Sequence, residues 1–324
     1  MNIVILAAGK GTRMKSNRPK VIHPIGHVPM VVRVVQAARH LGATQIILVV
    51  GHQADQVKAL FEGQSDILFV EQTEQLGTGH AVRVAASELD DQHPTLVLYG
   101  DVPLIHPDSL APLVDSAKQG AVGLLTQIQE DPTGYGRIVR NSAHQVTAIV
   151  EQKDASTEQL AIQETNTGIV SVPTQPLKQF LQQLSNDNAQ GEYYLTDIIE
   201  MASQAGLDIQ TAHPRHDWEV LGINSRLQQA ELERILQRYL AEQLMAQGVE
   251  LADPSRIDVR GSLACGQDVR IDVNCVFEGA VKLADGVSIG PNCYLKNVNL
   301  AAGVRIEAFS HLVDAVVGAD STIG

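Results

Sequence analysis

The sequence predicts a doubly wound, Rossmann-like α/β domain with a mixed, mainly parallel sheet, followed by a long linker helix and a β-helix. From Met1 to about Arg226, short apolar runs alternate with amphipathic stretches, as strands and helices do around such a sheet. Beyond Asp253, apolar residues instead recur at every sixth position, which is typical of β-helix repeats. A chain of 324 residues exceeds the usual size of one domain. The expected domains are 1–226, 227–250 and 251–324.

The first region alternates between strand and helix patterns. Continuous apolar runs predict strands at Asn2–Ala7, Gln45–Val50, Ile67–Val70 and Thr95–Tyr99. Helical spacing of apolar residues predicts helices at Met30–Leu41, Ala54–Phe61 and Thr78–Leu89. Later the pattern loosens, and it predicts a hairpin of Tyr135–Arg140 with Gln145–Glu151 and a strand at Gly168–Val172. An antiparallel extension of the sheet is therefore expected.

The second region begins with an amphipathic helix and continues as a repeat. Leucine and isoleucine among Glu, Gln and Arg predict a helix over 224–246, which ends before Gly248. The repeat places one apolar row at Ile271, Phe277, Leu283, Ile289 and Leu295 and, after one five-residue step, at Leu300, Ile306 and Leu312. A second row lies two residues earlier, at Val269, Cys275, Val281, Val287 and Cys293. Ordinary strand alternation has a period of two and does not explain a gap of six, so coils of three repeats are favoured.

Composition excludes several functional classes. A hydrophobic fraction of 44% and a charged fraction of 19% are typical of a globular protein. The formal net charge of −13 argues against a nucleic-acid partner, so an anionic small substrate would need local cations. No apolar run is long enough for a membrane span, and the first residues do not form a signal peptide, so a cytoplasmic protein is expected. The three cysteines lack CxxC spacing, and reduced thiols are expected rather than zinc ligands.

A glycine loop directly follows the first predicted strand, in the run LAAGKGTRM at 6–14. Loops at this place in an α/β fold commonly present backbone N–H groups to a phosphate. Met14 stands where a dinucleotide-binding fingerprint needs its third glycine, and no register satisfies a P-loop. Arg13 and Lys20 then remain as cations suited to a triphosphate. The alternative is that they are solvated surface charges, which is the favoured interpretation for Lys10 and Lys15.

Two further features could belong to the same site. In the loop QLGTGHA at 75–81, Gly77 and Thr78 could contact a base or ribose, or Thr78 could merely be the N-cap of the next helix. Asp101 follows an apolar strand in the run YGDVP, at the sheet edge where open sheets bind ligands. A carboxylate together with phosphate oxygens is a usual way to hold Mg²⁺. The alternative for Asp101 is an ordinary turn before Pro103.

Taken together, these segments resemble a known enzyme family. LAAGKGTRM with a downstream PK, EQLGTGHA, YGDVPL, DPTGYGRI, ETNTG, NAQGEYYLTDII and the hexapeptide tail closely resemble the bacterial bifunctional N-acetylglucosamine-1-phosphate uridylyltransferase/acetyltransferases, over the full chain. The resemblance implies a nucleotidyltransferase domain followed by a left-handed parallel β-helix. It also implies the synthesis of UDP-N-acetylglucosamine, a precursor of peptidoglycan and lipopolysaccharide, and of pyrophosphate from UTP and N-acetylglucosamine 1-phosphate.

The resemblance further implies roles for individual residues. The nucleotide would contact Leu6, Ala7, Ala8, Gly9, Lys20, Gln72, Gly77 and Thr78, and the catalytic cations would be Arg13 and Lys20. Mg²⁺ would be held by Asp101 and Asn224, and the amino sugar by Tyr99, Gly100, Gly136, Glu151, Asn166 and Asn224. For Glu151, Asn166 and Asn224 the residue pattern alone predicts nothing. The expected reaction is in-line attack by the sugar phosphate on the α-phosphorus, without a general base, because the nucleophile is already anionic.

The family's second activity is not expected here. Acetyl transfer from acetyl-CoA to glucosamine 1-phosphate uses later β-helix coils and a neighbouring subunit in that family. Because the sequence stops at Gly324 within a repeat, a C-terminally truncated chain without this activity is expected. The resemblance also implies a homotrimer formed through the β-helix. Two alternatives stay open, namely another sugar-1-phosphate nucleotidyltransferase and a non-catalytic regulatory subunit, and the presence of Arg13, Lys20 and Asp101 argues against the second.

Overall fold

The computed structural model describes all residues from Met1 to Gly324. It divides into two compact units. Unit 1 comprises Met1–His23 and Pro29–Ser225, and unit 2 comprises Pro24–Val28 and Arg226–Gly324. None of the helices combines the length and the apolar composition that crossing a membrane requires.

The chain up to Ser225 alternates strands and helices, as the sequence predicts. In chain order its elements are β1 (Asn2–Ala7), β2 (Pro24–Ile25), β3 (Val28–Pro29), α1 (Met30–His40), β4 (Gln45–Val50), α2 (Ala54–Lys58), β5 (Ile67–Glu71), α3 (Thr78–Ala85), β6 (Thr95–Tyr99), α4 (Pro107–Lys118), β7 (Val122–Ile128), β8 (Arg137–Arg140), β9 (Val146–Val150), α5 (Thr157–Leu160), β10 (Glu164–Val172), α6 (Thr174–Gln183), α7 (Asp197–Gln204) and β11 (Ile209–Ala212). Short 3₁₀ turns extend α2 through Phe61 and α3 through Glu88.

Unit 1 is built on one mixed, mostly parallel sheet. Its strand order is β11-β7-β10-β6-β1-β4-β5, and the β8–β9 hairpin pairs with β10. The pairs β1–β4, β1–β6, β4–β5 and β7–β11 are parallel, whereas β10 runs antiparallel to both β6 and β7. The α/β class and the antiparallel addition are therefore confirmed. The carboxyl ends of β1, β4, β5 and β6 lie at one edge, where open sheets bind ligands.

Both faces of this sheet are buried, which explains why the central strands are continuous apolar runs. Successive residues of β1 point to opposite faces: Ile3 packs in a core with residues of α1, and Val4 packs in a second core with residues of α3, α6 and α7. Both side chains are fully buried. Burial on this scale stabilises the fold by roughly 1.5–3 kcal/mol for each large aliphatic side chain.

Unit 2 begins with one long helix and continues with short strands. In chain order they are α8 (Arg226–Ala246), β12 (Glu250–Leu251), β13 (Ile257–Cys265), β14 (Arg270–Ile271), β15 (Cys275–Leu283), β16 (Ser288–Ile289), β17 (Tyr294–Lys296), β18 (Asn299–Leu300), β19 (Arg305–Ile306), β20 (His311–Val313), β21 (Val316–Val317) and β22 (Thr322–Ile323). The predicted helix over 224–246 is confirmed, with its start two residues later.

Strands β12 to β22 pair only in parallel, and their register follows the repeat. Val276 pairs with Tyr294, eighteen residues on, and Tyr294 pairs with His311, seventeen residues on. The step of seventeen is the three-repeat period shortened by the single five-residue repeat. The apolar rows predicted from the sequence are buried throughout, and Cys275 and Cys293 in the second row are each 1% exposed. The expectation of buried, free thiols is confirmed for Cys275 and Cys293, whereas Cys265 is free but only partly buried.

Candidate active site

A cavity of about 230 Å³ opens at the carboxyl edge of the parallel strands in unit 1. Residues that follow β1, β5 and β6 meet there because parallel strands end at the same edge. The cavity is lined by Leu6, Ala7, Ala8, Gly9, Lys20, Val21, Gln72, Gln75, Gly77, Thr78, Ala81, Tyr99, Asp101 and Glu192. Every residue predicted to contact a nucleotide is in this set.

The glycine loop after β1 is held tightly on both sides. Gln75 Nε2 donates to the backbone oxygen of Ala8 at 2.5 Å. Gly11 has φ +60°, and a Cβ at that position would lie 2.6 Å from Lys20 Cβ, so the loop packs directly against the lysine stem. A 3₁₀ turn, Thr12–Met14, follows, in which Met14 is buried and Arg13 is exposed. The structure thus brings Lys20 to the cavity wall but leaves Arg13 outside the lining.

The Lys20 ammonium donates to two side-chain oxygens at one end of the cavity. Its Nζ contacts Asp101 Oδ2 at 2.5 Å and Asn224 Oδ1 at 2.8 Å. The Lys20 and Asp101 side chains are only 11% and 17% exposed, so this ion pair is weakly screened. The backbone N–H of Ile223 donates to the Asp101 backbone oxygen at 2.9 Å, which holds Asn224 beside the pair. Three residues far apart in the sequence therefore form one polar cluster.

This cluster has side-chain oxygens that could hold a divalent cation. Two side-chain oxygens converge on one positive charge, and the lysine ammonium now marks that position. Nowhere in the chain do three or more His, Cys, Asp or Glu side chains group as a metal site. Any ion here would therefore complete its shell with water or phosphate oxygens, which is the usual way Mg²⁺ is bound.

The opposite end of the cavity is formed by Gln72 and the second glycine loop. Gln72 is 5% exposed, and its Nε2 lies 3.2 Å from the Gly77 oxygen and 3.0 Å from His80 Nδ1. Gly77 has φ +105°, and a Cβ there would lie 2.6 Å from the Tyr193 backbone oxygen. Helix α3 begins at Thr78 with Gly77 as its N-cap, so the simple capping role considered for Thr78 is wrong. Thr78 Oγ1 instead accepts the Leu195 N–H at 3.3 Å.

A second, small cavity of about 10 Å³ shares Tyr99 with the first. Asn166 and Gly168 also line it. Asn166 Oδ1 accepts the Gly168 N–H at 2.9 Å. Gly168 has φ +86°, and a Cβ there would lie 2.6 Å from the Tyr99 ring, so only glycine lets this ring pack so closely. Burial raises the pKa of the Tyr99 hydroxyl, and the charges of Glu151 and Asp101 add to the effect, so the hydroxyl stays neutral.

Two more predicted sugar contacts, Glu151 and Gly136, lie near this second cavity without lining it, whereas Asn224 lies beside Lys20. Thr196 Oγ1, from its wall, donates to Glu151 Oε1 at 3.0 Å. A Cβ on Gly136 would lie 3.5 Å from both Glu151 carboxylate oxygens, and the Gly136 backbone oxygen accepts the Asn166 N–H at 2.9 Å. Burial raises the pKa of Glu151, against the lowering effect of the Thr196 hydrogen bond.

Gly100 is also outside both linings. Its N–H donates to the Leu6 backbone oxygen at 2.9 Å, so it joins β6 to β1 behind Asp101. The sequence prediction in turn missed four residues that do line the larger cavity: Val21, Gln75, Ala81 and Glu192. Gln75, Ala81 and Glu192 lie within the motifs EQLGTGHA and NAQGEYYLTDII, which gave the available signal, whereas Val21 had none.

Comparison with known proteins supplies an independent view of the chain. Residues 3–248 match the model of the MobA-like NTP transferase domain family. The chain is 57% identical to the bifunctional protein GlmU of Burkholderia vietnamiensis and 55% identical to that of Paraburkholderia xenovorans. Each match covers 100% of this chain and 71% of the relative. A crystal structure of UDP-glucose pyrophosphorylase complexed with UDP-glucose is similar in fold, with a TM-score of 0.62, 17% identity, and coverage of 74% of this chain and 98% of that one.

Proposed function

The chain belongs to the family of bifunctional GlmU proteins and contains a MobA-like NTP transferase domain, and from this premise we propose how its cavity works. The protein is a nucleotidyltransferase, and its reaction is the transfer of a uridylyl group from UTP to a sugar 1-phosphate. We propose N-acetylglucosamine 1-phosphate as the sugar phosphate and UDP-N-acetylglucosamine and pyrophosphate as products. The observation that carries the proposal is the Lys20–Asp101 pair, which lines one cavity with the glycine loop and which Asn224 contacts through Lys20.

The nucleotide is proposed to lie along the larger cavity. Its base would face Gln72, Gly77 and Thr78, and its phosphates would face Ala8, Gly9 and Lys20. This direction is supported by charge, because the Lys20 cation lies at the Asp101 end. The Gln72 end has only uncharged polar groups and the acidic Glu192, which packs against Gly77 and would repel phosphates. Leu6 and Ala7 would form the floor beneath the ribose. Arg13 is exposed on the adjoining turn and would approach only the outer phosphates.

A divalent cation, proposed to be Mg²⁺, would be held by the oxygens of Asp101 and Asn224. When bound, it would supply additional positive charge to the phosphates. Lys20 would then leave Asp101 and donate to phosphate oxygens. The position between the Asp101 and Asn224 oxygens would thus hold the lysine ammonium in the free enzyme and the divalent ion in the loaded enzyme. This exchange keeps the Asp101 carboxylate paired with a cation in both states, which avoids a half-buried unpaired charge.

The sugar is proposed to lie at the second cavity and the adjoining hairpin. Glu151 and Asn166 would offer hydrogen-bond acceptors to the sugar. Gly136, which lies against the Glu151 carboxylate, and Gly100 are proposed as backbone contacts. The neutral Tyr99 hydroxyl and ring separate the sugar region from the nucleotide region. Asn224 would contribute to both the ion and the sugar. Alignment and charge neutralisation then suffice for in-line attack, since the attacking phosphate is already anionic.

For unit 2 we propose a left-handed parallel β-helix of hexapeptide repeats that associates as a homotrimer. Support for the β-helix comes from exclusively parallel pairing at steps of mostly seventeen or eighteen residues. The domain boundaries at 226 and 250 are part of the same proposal. A cytoplasmic location and the lack of acetyl transfer from acetyl-CoA by these residues stay predictions.

The test of the proposed reaction is a pyrophosphate-release assay with purified protein, Mg²⁺ and a panel of substrates. UTP with N-acetylglucosamine 1-phosphate should give the highest kcat/KM. Glucosamine 1-phosphate and glucose 1-phosphate should react more slowly, and omission of the sugar phosphate should abolish release. Equal or better turnover with another nucleotide or sugar would show a different nucleotidyltransferase of this fold. No release with any pair would overturn the proposal.

A further inference from the structure

The Gln72 side chain has a defined direction in the cavity wall. Its amide nitrogen faces two groups, the Gly77 backbone oxygen at 3.2 Å and His80 Nδ1 at 3.0 Å. Its amide oxygen has no protein partner and belongs to a residue that lines the cavity. The two N–H bonds are thus used within the protein, and the acceptor is left for whatever occupies the cavity.

The hydrogen-bond chemistry of the two neighbours allows only this arrangement of the amide. The Gly77 oxygen can only accept, so the NH₂ group must face it. His80 Nδ1 must then also accept, which requires a neutral imidazole with its proton on Nε2. If His80 carried its proton on Nδ1, that N–H would face the NH₂ group of Gln72, and no hydrogen bond could form between the two donors. The Gly77 oxygen and His80 Nδ1 are therefore the two acceptors that fix the orientation of the Gln72 amide.

The surroundings of His80 keep the ring neutral. Partial burial lowers the pKa of His80, and the nearby positive charge of Arg83 lowers it further. A hydrogen bond to the Glu74 backbone, and then the charge of the Glu74 carboxylate, oppose this shift. The Tyr193 ring lies 6.3 Å from the imidazole, centroid to centroid, and the Arg83 guanidinium stacks 4.1 Å from the Tyr193 centroid. Arg83, Glu74, Gln72 and Tyr193 are the charged, polar and titratable groups that face the imidazole.

We propose that His80 is a positioning residue for base selection: it fixes the Gln72 amide with its oxygen toward the cavity, so that the site favours a pyrimidine with a ring N–H, uracil, over cytosine. The proposal rests on the proposed function, because it assumes that the base lies at this end of the cavity. His80 does not line the cavity, so its effect on the base acts through Gln72.

The selection follows from donor and acceptor matching. Uracil N3 carries a hydrogen, which can be donated to the Gln72 oxygen, whereas cytosine N3 carries a lone pair. An acceptor facing that lone pair is left unpaired inside a mostly buried site, and such a mismatch discriminates more strongly than a lost apolar contact. If the amide were free to rotate, it could turn its NH₂ group toward cytosine N3. The hydrogen bond to His80 Nδ1 prevents this rotation.

The experiment compares wild-type protein with His80→Leu and His80→Asn in the pyrophosphate-release assay, using UTP and CTP with the same sugar phosphate. Leucine keeps the approximate shape but has no acceptor, whereas asparagine can place Oδ1 where Nδ1 lies. The UTP/CTP ratio of kcat/KM should fall about tenfold in His80→Leu, as expected for one hydrogen bond, and should return toward wild type in His80→Asn. His40→Leu, an exposed histidine, is the matched control and should keep the wild-type ratio.

The pH profile of the same ratio separates positioning from a merely structural effect. The ratio cancels titration of the triphosphate, which both nucleotides share. The measurement is confined to about pH 5.5 to 8, where neither base titrates. Within this range the wild-type ratio should be flat at the upper end and fall toward the lower end as His80 gains a proton, and the His80→Asn ratio should be flat. An unchanged ratio in a folded His80→Leu, or an acid-induced fall in His80→Asn, would overturn the inference alone. Absence of UTP turnover in wild type would instead overturn the proposed function.

Discussion

The carboxylates at the two ends of the candidate site have opposite electrostatic surroundings. At the phosphate end, Asp101 has a cationic partner at 2.5 Å. Beside the second cavity, Glu151 has only the Thr196 hydroxyl as a partner, and Asp154 and Asp197 add further negative charge nearby. Burial raises the pKa of both Glu151 and Asp197. The first end is therefore suited to anions held through cations, and the second to neutral hydroxyl and amide groups, as in an amino sugar.

The largest effect is expected when the carboxylate of the phosphate end is removed. Asp101→Ala should lower kcat/KM for pyrophosphate release by about a thousandfold, because it removes an ion ligand and unpairs Lys20. The fold should stay intact, since Asp101 packs in no core, although the unpaired Lys20 should lower the unfolding temperature by a few degrees. Asp115→Ala is the matched control: this exposed carboxylate pairs with Lys118 at 3.1 Å and should leave turnover unchanged. Near-normal turnover of Asp101→Ala at limiting Mg²⁺ would contradict the assignment.

Lys20→Met should reduce catalysis less than Asp101→Ala does. It should strengthen ion binding, whereas Asp101→Ala should weaken it. Loss of the ammonium should lower kcat about a hundredfold, because a phosphate contact is lost. The same change should strengthen Mn²⁺ binding in the absence of nucleotide, since the oxygens of Asp101 and Asn224 no longer hold a competing cation. Mn²⁺ titration followed by electron paramagnetic resonance measures this directly. Weaker Mn²⁺ binding in the variant would show that the ion lies elsewhere.

At the sugar end, the raised pKa of Glu151 should appear in the pH dependence of sugar binding. Its ionised form is the acceptor, so KM for the sugar phosphate should rise as pH falls through the elevated pKa of this carboxyl. Glu151→Gln should remove that pH dependence and raise KM about tenfold at neutral pH, with a smaller change in kcat. The KM profile of both proteins, at saturating UTP, is the measurement. A variant that keeps the wild-type profile would exclude Glu151 from sugar binding.

The sequence predicted the parts of this site that are local. The loop after β1 and Asp101 after β6 each follow a continuous apolar strand, so their place at the sheet edge could be deduced. The Lys20–Asn224 contact could not be deduced, because 204 residues separate the partners and the helical pattern that begins at residue 224 does not indicate what Asn224 contacts. Likewise, the exclusion of Arg13 from the cavity lining depends on the direction of a 3₁₀ turn, which residue types do not determine.

In the fold, too, local features could be predicted from the sequence and features that depend on distant contacts could not. Strands β1, β4 and β6 were predicted with their observed limits because both of their faces are apolar. Strand β7 was not predicted, because the buried part of it includes Gly123, Thr126 and Gln127. At Gly123 a Cβ would lie 2.5 Å from Leu113 Cα, so the glycine is explained by close packing of α4 on the strand. The sequence alone does not show that α4 packs on this strand, so the need for glycine at position 123 could not be predicted.

The smallest expected effect concerns stability rather than turnover. Burial, and then the charges of Glu151, Glu200 and Asp154, raise the pKa of Asp197 to about 6 from an ordinary value of 3.8. The folded protein therefore binds more protons than the unfolded chain between these values, and this group makes the free energy of unfolding fall as pH rises from about 4 to about 6.

Asp197→Asn should remove this contribution. At neutral pH the variant should be more stable by about 1 kcal/mol, a figure reduced for solvent screening and for the favourable effect of an acid at the start of α7. At about pH 3.5, where Asp197 is largely protonated in the folded protein, the two proteins should unfold alike. Urea unfolding at both pH values is the measurement, with Glu158→Gln, an acid near the start of the exposed α5, as the control. A gain that persists at the lower pH would mean that packing, rather than repulsion among the carboxylates, destabilises this end of the site.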